Sequence, residues 1–362
     1  METATHGNRD DDAPDRTRAR ADELGISREA VELYERSDVI DLHLDTFIWS
    51  RVFGYDLTAR HGHGAFGARF YGQADLPRLL EAGVTGAIWS ITTNPLRTSR
   101  GRAAAFERNL DRLLRIFDSV GNRLALARSA AEYRAARSEG KHGAFIGVQG
   151  ANALDHDLSA WSRIQDDAVT RVTLVHLTSS SLGSTSSPFA LSDRGLTTRG
   201  RELVERLDAQ RILVDLAHVS KKGFHDAVDA HDRTKPLIVT HTGVSGVYPH
   251  WRNLDDAQLV AIADSGGTVG VMYHTDFLAR STWRGRAAAV ADHLEHIVKT
   301  VGEDHASLGS DWDGAITTPR DMPTCLELPR LVQLLLDRRF SPETIQKILG
   351  GNFLRTMASL RG

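Results

Sequence analysis

Seven side chains that can bind a metal ion or carry a proton recur at the ends of short apolar runs. His43 and Asp45 alternate in Asp-Leu-His-Leu-Asp, so an extended backbone turns both to one face. Gln149 closes Gly-Val-Gln, His176 closes Thr-Leu-Val-His and His241 closes Val-Thr-His. His218 follows Asp-Leu-Ala, and Asp311 follows Gly-Ser. Neutral imidazole and carboxylate are the donors that zinc and its first-row neighbours take. A lone histidine at such a place is more often structural. Four histidines and two aspartates at equivalent places read as a metal site or its remnant. Cys325 is the only cysteine, which excludes an internal disulfide and cysteine-rich zinc or iron–sulfur sites.

The runs themselves predict strands at residues 39–43, 84–91, 143–148, 171–176, 212–216, 237–241, 268–272 and 306–311. Helical spacing lies between them, at 101–120, 196–209, 255–263 and 284–301. Val-Thr-Leu-Val and Leu-Ile-Val are continuously apolar, as suits parallel strands covered on both faces. The alternation predicts an α/β fold, a (β/α)8 TIM-type barrel forming one domain over residues 24–362 with C-terminal helices. The rival, a doubly wound sheet, lacks its Gly-rich turn after the first strand. In a barrel all seven side chains share the C-terminal rim, where barrel enzymes keep their active sites. Ser27 reads as the cap of a helix reaching residue 35. Ser341-Pro342 opens a helix that Gly350-Gly351 closes, ahead of a last helix at 353–360.

Residues 1–23 are polar and charge-mixed, which predicts a disordered tail. His61 and His63 fall in a Gly-rich loop expected to be mobile and exposed, and His225, His231, His293, His296 and His305 fall on helices, expected to be solvated. Arg252, beyond the sixth strand, suits two-point binding of a substrate carboxylate.

The chain has 362 residues and a net charge of −3 from 44 basic and 47 acidic side chains. Without a basic excess, nucleic acid is not an expected partner. No run approaches the ~18 apolar residues of a membrane span, so no membrane partner is expected either. The first Leu, Ile, Val or Phe is Leu24, so the apolar core of a signal peptide is missing and a cytoplasmic location is expected.

From about residue 39 to 360 the chain resembles the membrane (renal) dipeptidase family, zinc enzymes of the amidohydrolase superfamily. The resemblance is carried by Asp41–Asp45, Asp75-Leu76-Pro77, Phe145–Gly150, Thr173–His176, Asp215–Ser220, Thr240–Thr242, Arg252-Asn253, Gly309–Gly314 and Gly351–Arg355. It implies that His43 and Asp45 hold one zinc and His218 and His241 another, with a glutamate bridging both. It further implies that His176 steadies the tetrahedral intermediate, Asp311 shuttles the proton and Arg252 binds the terminal carboxylate. Pairing into a homodimer is implied too. The chain departs from the family at the bridging position, which is Gln149, followed by Gly150-Ala151-Asn152. An amide offers one weaker oxygen and no charge. Two Zn²⁺ with Asp45, a glutamate and hydroxide sum to about +1, and with glutamine to about +2. One zinc per chain is therefore expected rather than two.

Three functions follow. The first is metal-dependent hydrolysis of a dipeptide or related small amide at a weakened or mononuclear site, with Gln149 or Asp45 assisting His218 and His241. The second is a non-hydrolytic descendant that binds a peptide-like ligand, for example in small-molecule biosynthesis. The third is another amidohydrolase-superfamily reaction, such as deamination or lactone opening. Arg252 favours the first over the third, because a neutral ring has no use for it. His176, Asp311 and Arg252 together weigh against an idle rim.

Overall fold

The computed structural model describes residues 13–64, 66–94, 97–163, 167–188, 190, 192–280 and 284–362. Nine strands occur among them: β1 Ile40–Leu44, β2 Gly86–Thr92, β3 Leu124–Leu126, β4 His142–Gln149, β5 Val169–Thr173, β6 Leu213–Asp215, β7 Leu237–Thr242, β8 Thr268–Val271 and β9 Ala306–Leu308. All but β3 form one parallel ring in the order β2-β1-β9-β8-β7-β6-β5-β4, which closes where β2 meets β4. That closure runs without a register break from Gly86 opposite Gly143 to Thr92 opposite Gln149. The expected eight-stranded barrel is therefore the observed one. The added β3 pairs with the first residues of β4, whose later residues pair with β5. Leu-Ala-Leu is too short, and too poor in β-branched residues, to signal a strand on its own.

Helices ring the barrel close to the expected places, at Ser99–Ser119, Thr198–Ala209, Asp256–Asp264 and Ala288–Val301. Thr98, Thr197 and Asp255 cap the first three through side-chain oxygens. Ser27 caps Arg28–Glu35 in the same way. Inside the ring the strands crowd. A Cβ at Gly309 would lie 1.7 Å from the Thr240 carbonyl oxygen, so only glycine lets β7 and β9 approach there.

Two expectations about the chain ends need correction. Residues 1–12 lie outside the described residues, but Ala13–Leu24 form a helix where a disordered tail was expected. Its few anchors suffice: Ala21 is buried, and Arg20 donates to the Ala82 carbonyl at 2.7 Å and pairs with Glu35 at 3.2 Å. At the other end, Gly350-Gly351 does not close a helix. The helix Pro342–Gln346, capped by Ser341, passes through a π turn at Lys347–Gly351 straight into Asn352–Arg361. A Cβ at Gly350 would lie 2.6 Å from the Asp38 carbonyl oxygen, so glycine serves close packing beneath β1 rather than termination. Phe353 then meets Phe145 edge-on at 5.1 Å, in an apolar cluster with Ile40 and Ile238 from the strands' first halves. No described helix is long and apolar enough to cross a membrane.

Candidate active site

The ring brings the seven rim side chains together. His43 lies on β1 with Asp45 just beyond it, Gln149 ends β4, and His241 lies on β7. His176, His218 and Asp311 each sit three residues past β5, β6 and β9. His218 and Asp311 hold backbone φ of +64° and +63°, a left-handed region that costs a non-glycine residue about 1–2 kcal/mol. Neighbouring backbone holds them there. The His218 carbonyl accepts from Ser186 N at 2.8 Å and Thr185 Oγ1 at 3.1 Å, and Asp311 N donates to the His43 carbonyl at 3.1 Å.

His218 Nε2 and His241 Nε2 face one another at 2.8 Å, a separation that needs a shared proton or a cation. The Gln149 amide nitrogen lies 3.2 Å from the first and 3.4 Å from the second. Thr92 Oγ1 bridges Asp45 Oδ1 at 2.8 Å and Gln149 Oε1 at 2.9 Å, as the strand register requires. His43 Nε2 is buried with no hydrogen-bond partner among the described residues, 3.5 Å from Asp45 Oδ1 and 3.8 Å from Asp311 Oδ1. His43, His241 and Asp311 each offer an atom within 4.8 Å of the others. Buried imidazoles beside carboxylates are a donor set that fits a zinc-type ion.

Burial sets the charge states. It lowers His176 to about 4 and holds His218 and His241 well below the usual histidine range, so all three are neutral at pH 7. The two carboxylates part company. Burial and the Asp45 charge raise Asp311 well above the usual carboxylate range, against the pull of Arg252. Asp45 is also penalised by burial, but the adjacent His43 and the Thr92 hydroxyl carry it below that range. Such a split separates a proton carrier from a standing anion. Arg252 is 3% exposed and donates from Nη2 to the His241 carbonyl at 2.6 Å. Burial lowers it to about 10, so it stays cationic at neutral pH.

Asp45, Gln149, His176, His218, Arg252 and Asp311, with Trp49 and Phe277, line a cavity of about 490 Å³, and His241 lies behind His218. His176 also faces a second cavity of about 520 Å³, lined by Arg51, Arg97, Arg102 and Arg108. Arg102 is neutralised there by both oxygens of Asp155, at 3.0 and 2.9 Å.

Sequence reasoning missed the residues beneath the rim. Thr92, Arg171, Thr173, Asp215 and Thr240 are buried and link the rim groups by hydrogen bonds. Arg171 carried a signal, a cation opening an apolar run. Two helix histidines expected to be solvated are not. His293 is fully buried, accepting from Val244 N at 2.8 Å and donating to the Leu278 carbonyl at 2.9 Å. His231 is buried against Asp208. Their helix faces turn inward. His225 is exposed, and His296 and His305 are half-buried. His63 is exposed and His61 stacks on Tyr55 at 3.8 Å; neither lines the rim cavity.

Comparison with known proteins agrees with this geometry. An uncharacterized protein in the pqqA 5′ region of Klebsiella pneumoniae is 36% identical over 169 residues, covering 46% of this chain and 61% of that protein, under two thirds of its length. Dipeptidase aclJ of Aspergillus oryzae is 25% identical over 346 residues, covering 93% of this chain and 81% of its own. A solved metallo peptidase from Rhodobacter sphaeroides, liganded with a phosphinate mimic of the dipeptide L-Ala-D-Ala, is 26% identical with a TM-score of 0.80, covering 90% of this chain and 99% of that one. The family model for membrane dipeptidases (peptidase family M19) matches residues 27–361, from the cap of the helix before β1 into the last helix. With barrel, rim and whole-length match in agreement, the chain belongs to the membrane dipeptidase family.

Proposed function

We propose that the chain is a zinc-dependent hydrolase of dipeptides with a free C-terminal carboxylate. The observation that carries this reading is the convergence of His176, His218, Asp311 and Arg252 on one cavity of about 490 Å³, with His241 Nε2 2.8 Å behind His218 Nε2. That volume lies within the range of small-ligand sites, roughly 300–1,000 Å³. Held at His218 and His241, a zinc ion would supply Lewis-acid polarisation and acidify a water molecule.

The chain's own groups do the rest. Arg252 meets the substrate carboxylate with the N–H groups that do not hold the His241 carbonyl. His176, neutral because buried, donates an N–H to the scissile carbonyl oxygen as charge gathers on it. Asp311, with its raised proton affinity, takes the proton of the attacking water and returns it to the leaving amine. Asp45 remains ionised and offsets cationic charge.

Zinc content and dipeptide hydrolysis of the purified protein test the reading together. We expect about one zinc per chain and hydrolysis that a chelator abolishes and zinc restores. His218→Ala should lose both metal and activity. Full hydrolysis by that variant would refute a metal-dependent reaction at this rim.

A further inference from the structure

We infer that Arg171 withdraws His43 from metal ligation, so that the rim holds a single ion on His218 and His241 while His43 keeps a proton on Nε2. The statement about the ion rests on the hydrolase reading above; the statement about His43 stands without it.

Arg171 lies on β5 and is completely buried. Its guanidinium packs flat against β4, where a Cβ at Gly147 would lie 2.6 Å from Cζ and Nη2. Nη1 donates to the Val148 carbonyl at 3.1 Å and to Thr173 Oγ1 at 2.7 Å. Nη2 donates to Ser90 Oγ at 3.3 Å and meets His43 Nδ1 at 3.0 Å. A guanidinium has no acceptor, so His43 Nδ1 must accept. A neutral imidazole that accepts at Nδ1 carries its proton on Nε2. That nitrogen is the one turned toward Asp45 and Asp311. Bearing a proton, it has no lone pair for a metal ion.

His241 is wired the opposite way. The Asp215 carboxylate can only accept, so it takes the hydroxyl hydrogens of Thr240, at 2.7 Å, and Thr173, at 2.6 Å. With its hydrogen committed, Thr240 Oγ1 accepts from His241 Nδ1 at 2.9 Å. The lone pair of His241 is thereby left on Nε2, facing His218. One network of buried side chains thus prepares His241 as a ligand and leaves His43 protonated on the nitrogen that faces the carboxylates. Charge acts in the same direction. The uncharged amide at Gln149 disfavours a second divalent ion beside Asp45, whereas the Arg171 cation is offset by Asp215 at 3.6 Å and acts through its hydrogen bond to His43. Arg171 is therefore a positioning residue, acting through His43.

Two measurements decide this. Zinc per chain should be about one in the unaltered protein and about one in His43→Ala, and should vanish in His241→Ala. In metal-free, ¹⁵N-histidine-labelled protein, the His43 resonances should report a protonated Nε2 and a bare Nδ1, with His241 the reverse. Those two alanine variants assign the signals. Arg171→Met should release His43 from that single tautomer; if this variant fails to fold, the unaltered protein and His43→Ala still give the answer. Two zinc ions per chain, loss of zinc in His43→Ala, or a proton on His43 Nδ1 would each overturn the inference. If the unaltered protein takes up no zinc at all, the hydrolase reading fails, and the nitrogen spectrum alone decides what Arg171 does.

Discussion

On the proposed reading, Arg252 is where substrate choice meets the scaffold, because it is tied to the His241 carbonyl yet lines the rim cavity. A buried charge-assisted pair with a carboxylate contributes about 2–4 kcal/mol. Arg252→Ala should therefore raise KM for dipeptides with a free carboxylate by about 100-fold, while C-terminally amidated analogues change far less. An unchanged KM for the free acid would remove Arg252 from substrate binding. Asp311→Asn keeps the shape of the side chain and removes its basicity. It should lower kcat by roughly 10²–10⁴-fold with zinc retained and KM little altered. Loss of zinc in that variant would instead make Asp311 a ligand.

Among the elements, β4 shows how a strand couples burial to pH. His142 opens it, donating from Nδ1 to the Val84 carbonyl at 3.0 Å and accepting at Nε2 from Trp89 at 3.2 Å. Burial lowers its pKa to about 4, against 6.5 for the free side chain. Between those values the unfolded chain binds a proton that the native state refuses, so stability falls as pH falls. The contribution is full above pH 6.5 and lost progressively toward pH 4, about 3 kcal/mol in all. Urea unfolding at pH 7 and pH 4.5 should show a shallower pH dependence for His142→Gln than for the unaltered chain; equal slopes would exclude His142 as the source. The strand ends themselves were only partly legible. His176, His218 and Asp311 were expected to end or closely follow their strands, but each lies in the turn beyond. The apolar run misleads, because Leu174, Val175, Leu216 and Ala217 stay buried after the ladder has stopped.

For the whole molecule, two cavities lie side by side at the rim, with Ile48, His176 and Leu177 in the walls of both. One holds Arg252, and the other is lined by arginines of which only Arg102 is matched by a carboxylate within hydrogen-bond distance among the described residues. A dipeptide with its carboxylate at Arg252 would direct its first residue toward those cations. Glu-X substrates should then show a KM several-fold below that of isosteric Gln-X, with the gap narrowing as salt is added. Equal KM values at low salt would count against that orientation.

Order and chemistry were already written in the linear chain. Apolar runs at barrel spacing, with a histidine, aspartate or glutamine at or just beyond their ends, are local patterns, and local patterns survive without coordinates. Gln149 stood out in the same way, as one amide in a series of imidazoles and carboxylates. Adjacency and direction needed the closed ring. Thr92 reaches Gln149 only because β2 pairs with β4, 57 positions apart. Arg171 lies 128 residues from His43 and touches it only because the closed ring brings β5 within three strands of β1, by way of β2 and β4. Which nitrogen of each imidazole keeps its lone pair follows from those long-range hydrogen bonds, and spacing along a chain carries no record of them.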